Sequence, residues 1–100
     1  SRDGATEARR RATGRLLEIG ERCAQVATLA LEVATHGHEA IRPDVAAARR
    51  LAGSGSECAL DLADENLRPE EDQEWARLDK RRAWRARLLL QRAAPPLRGE

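Results

Sequence analysis

The chain has 100 residues and a mass of 11.1 kDa, enough for one small domain. Counted along the sequence, 19 Ala and 13 Leu stand against 3 Val, 2 Ile, 2 Cys and 2 Trp, and 18 basic residues nearly balance 17 acidic ones for a net charge of +1. So few β-branched and aromatic residues exclude an all-β fold, Ala, Leu, Arg and Glu favour helices, and the near-neutral balance argues against a strong field for nucleic acid.

An Ala side chain offers little apolar area, so a bundle built this way gains from burying a face against a second copy or another segment. Self-sufficiency is therefore doubtful, and a homo-oligomer or a further segment is expected to complete the core. Met is absent, including an initiator, which points to a processed, trimmed or partial chain. Ser1 to Arg11 has no apolar core of a secretory signal, and no run approaches the ~18 apolar residues of a membrane span. A soluble, cytoplasmic protein without membrane partners is expected. Cys23 and Cys58 have neither zinc-type nor redox-type spacing and read as two reduced, packed thiols.

Three helical segments are predicted, divided by Gly37 and Pro69. The first runs from about Thr6 to His36. Ala12, Leu16, Ile19, Cys23, Val26, Ala30 and Val33 form one heptad seam along it, and Leu17, Gly20, Ala24, Ala27, Leu31 and Ala34 form a second. Two adjacent seams make an apolar arc wide enough for at least two neighbours, with Glu18, Arg22, Gln25 and Glu32 toward solvent. Gly37 is expected to stop this helix in the left-handed conformation. The second segment starts at Pro43 with Asp44 at its positive end, and Val45, Ala48, Leu51, Ala52, Ala59, Leu60 and Ala63 keep a helical spacing through Leu67.

Inside the second segment, Gly53, Ser54, Gly55 and Ser56 read equally well as a flexible turn or as a small-residue patch for close helix contact, since glycine costs ~1 kcal/mol per helical position. The third segment starts at Pro69, with Glu70, Glu71 and Asp72 in its first turn and basic residues from Lys80 onward. Trp75, Leu78, Trp84, Leu88 and Leu89 are its expected buried side. Pro95 and Pro96 end it, and residues 94–100 are expected to be a disordered tail.

No catalytic constellation emerges from spacing. His36, His38 and Glu39 are the only clustered metal-type side chains, too few for a zinc site, so no metal is expected and a solvated loop is the simpler account. Lys80, Arg81, Arg82, Arg85, Arg87 and Arg92 surround Trp84 and could meet phosphates, but the segment opens acidic, and a dipole-matched, solvated helix end explains them. Ser54 and Ser56 lack the lysine and spacing of a phosphate loop and have no assigned base. Asp61, Asp64 and Glu65 share one helix side, which solvent exposure explains, with an acidic face beside a cleft as the alternative.

The order of these elements resembles a known family. Ala12, Thr13, Leu17, Ile19 and Glu21 look like the helix opening of the formiminotransferase-cyclodeaminase C-terminal domain, a family that includes methenyltetrahydrofolate cyclohydrolases. Asp44 falls on the Asp of its "S-D-x-G-V-A" element, and Leu51, Ala52, Ala59, Leu60, Asn66 and Leu67 are similar to its "L-A … G-A-L-x-N-V-x-x-N-L" pattern. Glu71, Asp72 and Glu74 resemble the acidic start of its last helix. The chain departs from the pattern with Leu16 for Pro, His38 for Asn, Pro43 for Ser, Cys58 for Gly and Leu62 for Asn.

The resemblance implies an all-α, up-and-down bundle of about three helices, with residues 1–93 corresponding to the C-terminal half of a domain about twice this length. It implies one continuous helix through Gly53 to Ser56, a dimer, and a tetrahydrofolate derivative as substrate. The reaction would be deaminating cyclisation of the formimino form or hydrolysis of the methenyl form. It assigns no catalytic or folate-binding residue here. The alternative expectation is a non-catalytic helical interaction module of the same ancestry.

Overall fold

The computed structural model describes residues 2–37 and 39–93, and among them it contains three α-helices and no strand. Helix α1 spans Arg2–His36, α2 spans Arg42–Leu67 and α3 spans Glu74–Ala93, joined by 3₁₀ turns at Glu39–Ile41 and Arg68–Glu70. Arg9 near the start of α1 reaches Glu70 beyond the end of α2, so α1 and α2 are antiparallel. Arg10 lies over Trp75 and Glu21 meets Arg82, so α1 and α3 run in the same direction. The chain goes up, down and up, as the all-α bundle reading requires.

Alanine and glycine set the helix spacing. Leu17, Leu60, Ala63, Ala83 and Ala86 form one core cluster, and Ala24, Ala27, Ala52, Leu90 and Ala93 form a second. A β-carbon added at Gly20 would lie 2.6 Å from Leu60 Cδ2, so this glycine lets α2 approach α1. Beside it the buried Ser56 hydroxyl donates to the Gly20 carbonyl oxygen at 2.8 Å. The Gly53 to Ser56 segment is helical throughout and serves as a contact patch, because Gly55 faces Cys23 and Ser56 faces Gly20. A core of this kind is thin: its radius of gyration is 16.1 Å against ~13 Å for a globule of 100 residues, and its long dimension is 56 Å.

Several expectations are corrected. Helix α1 begins at Arg2 rather than near Thr6, since Glu7, Ala8 and the following arginines are good helix formers even without an apolar stripe. Of its two seams, only the second is buried along most of its length; Ile19, Val26 and Val33 of the first are roughly half exposed. Gly37 has no left-handed backbone. A β-carbon there would come 2.5 Å from the Val33 carbonyl oxygen, so it is close approach that favours glycine. Cys23 is half-buried and Cys58 exposed, both as free thiols, so Cys58 is not a packed one.

The largest correction concerns α3. Pro69 and Glu70 occupy the 3₁₀ turn and Glu71 and Asp72 the connection after it, leaving Glu74 in the first turn of the helix. The buried side of α3 is Ala76, Ala83, Ala86, Leu90 and Ala93, while Trp84 is 61% and Leu78 52% exposed and Trp75, Leu88 and Leu89 are half-buried. Close packing against α1 and α2 selects the alanine stripe, and the larger side chains are left at its margins or outside. Trp75 and Trp84, nine residues apart, stand about two and a half turns apart and so on opposite sides. Pro95, Pro96 and the tail 94–100 lie outside the described residues.

Candidate functional site

Helices α2 and α3 share a cleft of about 300 Å³ lined by Glu57, Asp61, Arg87, Leu90 and Gln91. Glu57 and Asp61 project from one side of α2 because they are four residues apart. Arg87 crosses from α3, donates through Nη2 to Asp61 Oδ1 at 2.8 Å and forms an ion pair through Nη1 with Asp64 Oδ2, also at 2.8 Å. The carboxylates expected to share a helix side therefore divide. Asp61 and Asp64 converge on Arg87 at the cleft, whereas Glu65 pairs with Arg68 at 3.1 Å.

This arrangement limits the chemistry. The Arg87 guanidinium is already engaged by two carboxylates and is poorly placed to take a further anion. Glu57 makes no ion pair among the described residues, so the cleft lining carries two carboxylates against one guanidinium. It suits a group that is cationic or rich in hydrogen-bond donors. Leu90 supplies an apolar wall and Gln91 an amide that both donates and accepts. In the sequence only the shared helix side of Asp61 and Asp64 points to this cleft; Arg87, 26 residues from Asp61, carries no local signal of its pairing.

A second polar cluster joins α1 to α3. Arg82 donates to both carboxylate oxygens of Glu21, at 2.7 and 2.6 Å, and this hydrogen-bonded carboxylate holds the guanidinium above its ordinary pKa. Nearby, burial raises the Asp79 carboxyl above its ordinary value, an effect that Arg82 and Arg10 partly offset and Glu21 reinforces. Arg10 stacks over the Trp75 ring at 5.5 Å. The cluster is tied together by opposite charges and reads as a helix clamp.

The other sequence candidates separate. His36 is exposed at the end of α1, with Nδ1 3.0 Å from the Glu32 carbonyl oxygen, and His38 lies outside the described residues. No group of three potential metal ligands forms among the described residues. The hydroxyl of Ser56 is committed to Gly20, and Ser54 is exposed. No described helix is long and apolar enough to cross a membrane.

An uncovered apolar face lies on the side of α1 and α2 away from α3. Gly55 meets Cys23 there, and helical spacing places Ile19 and Val26 beside Cys23 and Leu51 and Leu62 beside Gly55. These four side chains are between 49% and 74% exposed. Spacing predicts the broad apolar arc on α1, while its continuation on α2 through Leu51 and Leu62 emerges only from the packing of the two helices.

The fold and cleft define an all-helical, up-down-up module with an ion-paired cleft and an apolar flank. A family model for formiminotransferase-cyclodeaminase matches residues 2–83, and the chain belongs to that family. No curated protein and no solved structure matches it. The match takes in α1, α2 and the first half of α3, and stops one residue before Trp84. Of the residues that carry the resemblance, Thr13, Leu17, Ala52, Ala59, Leu60 and Leu67 are buried in the core and record helix packing, whereas Ile19, Asp44, Leu51 and Glu74 are exposed.

Proposed function

We propose that the chain is part of a folate one-carbon enzyme of the cyclodeaminase or methenyltetrahydrofolate cyclohydrolase type, acting in the cytoplasm as a homodimer. The observation that carries this reading is the family match over residues 2–83. The α2–α3 cleft adds support, because its excess of carboxylate suits a one-carbon unit held as a cationic amidinium-like group. In this reading Glu57 faces that group and the Asp61–Arg87–Asp64 triad keeps the cleft open; the reacting groups that complete the site are left unassigned.

Isothermal titration of this chain, and of a longer form of the gene product, with a tetrahydrofolate derivative tests the proposal. Binding by the longer form alone supports a partial active site here, and Glu57→Gln in that form should then weaken binding. Binding by neither removes the enzyme reading. The second reading is a non-catalytic helical interaction module of the same ancestry. It is favoured by the exposure of Ile19, Val26, Leu51 and Leu62 on one flank, and it expects a stable oligomer in light scattering with no folate signal.

A further inference from the structure

The cations of α3 fall into two groups. Arg82 and Arg87 turn inward and are consumed by Glu21 and by Asp61 with Asp64. Arg77, Lys80, Arg81, Arg85 and Arg92 are exposed and make no ion pair among the described residues. The helix holds seven cationic side chains and only Glu74 and Asp79 as acids, so a chain of net charge +1 is strongly polarised toward this one element.

Trp84 stands in the middle of the unpaired group. Its indole is 61% exposed, and Arg77, Lys80 and Arg81 line with it a shallow concavity of about 350 Å³. Leu88, one turn on, is half-buried and extends the apolar centre. The other tryptophan differs: Trp75 is half-buried and covered by Arg10, whereas no guanidinium stacks on Trp84 among the described residues. An apolar aromatic centre ringed by arginines has the make-up of a protein interface, where Trp and Arg are the residues that most often dominate binding.

We propose that the outward face of α3, centred on Trp84, is a docking surface for an acidic segment of another protein. Charge complementarity selects the partner: Arg77, Lys80 and Arg81, three cations without an ion pair among the described residues, line the concavity with one apolar anchor and call for carboxylates flanking an apolar side chain. Single-stranded nucleic acid is the weaker fit, since one aromatic ring cannot stack successive bases and the chain as a whole is nearly neutral. The surface is independent of the folate reading. It lies on the far side of α3 from the core, and Trp84, Arg85 and Leu88 fall beyond the family match.

Fluorescence polarisation with a labelled, glutamate-rich peptide carrying interspersed leucines tests this on the full chain. Saturable binding is expected. Trp84→Ala and Arg81→Glu should each weaken it by ~10-fold or more. Leu29→Ala, at a similarly exposed site on α1, should leave it unchanged. Circular dichroism reports whether helicity is retained in each variant, as the exposure of all three positions requires. The proposal is overturned if no saturable binding occurs, if Trp84→Ala binds as well as the parent, or if oligothymidylate competes at lower concentration than unlabelled peptide.

Discussion

Arg82 grips Glu21 through two parallel hydrogen bonds, Nε to Oε2 and Nη2 to Oε1, and this fork is the polar link that sets α3 against α1. Both side chains remain about a third exposed, so water screens the pair and its contribution is modest. A lysine keeps the charge and loses the planar fork. Arg82→Lys should therefore lower stability by ~1 kcal/mol in urea unfolding. A double-mutant cycle with Glu21→Gln should show coupling between the two sites. Additive losses would mean that the fork contributes only through packing.

Two glycines of α1 should respond to alanine with opposite signs. Nothing lies within 4 Å of a β-carbon added at Gly14, so Gly14→Ala gains helix propensity, up to ~1 kcal/mol. At Gly20 the same methyl would lie 2.6 Å from Leu60 Cδ2 and 2.8 Å from its Cγ, and Leu60 is fully buried. A clash at the branch carbon cannot be relieved by turning the tip alone, so the helices must separate and strain the Ser56 hydrogen bond. Overpacking of ~1–3 kcal/mol should outweigh the propensity gain and make Gly20→Ala net destabilising. Thermal unfolding of the pair, followed by circular dichroism, checks both signs.

These glycines also show which parts of the fold were legible in the sequence. Helix number and order follow from period and composition, whereas the buried seam from Leu17 to Ala27 is one of two that spacing marks on α1, and only packing separates them. The face of α3 is not legible from side-chain size. Trp84 and Leu78 are large, yet the stripe that packs against α1 and α2 is Ala76, Ala83, Ala86, Leu90 and Ala93. The cleft is half legible: i, i+3 spacing places Asp61 and Asp64 together, but Arg87 lies 26 residues from Asp61 on another helix, a pairing that no local pattern encodes.

Asp79 gives a pH test of the clamp. Its folded pKa is raised above 3.8, chiefly by burial, so the folded state binds the proton more tightly than the unfolded chain. The stability tied to that proton is complete below the unfolded pKa and is lost as pH rises through the folded one. Arg82 and Arg10 attract the carboxylate but do not reverse the shift, and Glu21 opposes it. Asp79→Asn, which stays neutral, should unfold at a higher temperature than the parent at pH 7. The difference should close as the pH falls below the ordinary carboxylate range. A variant less stable at neutral pH would show that attraction to Arg82 and Arg10 outweighs burial.

The apolar flank of α1 and α2 makes the homodimer reading testable without a folate. Ile19, Val26, Leu51 and Leu62 flank the Cys23–Gly55 contact on one side of the bundle, and all four are exposed apolar side chains whose burial would stabilise an interface. A charge placed at Leu51 or Leu62 costs little in a monomer, because both side chains already meet water, at 74% and 56% exposure. In a dimer closed through this face, symmetry places the same charge twice in one interface, where it is desolvated and unpaired. Leu51→Glu with Leu62→Glu should therefore leave helicity intact and shift the mass measured by light scattering from dimer to monomer. Retention of the dimer by that variant would move the interface to another face of the bundle.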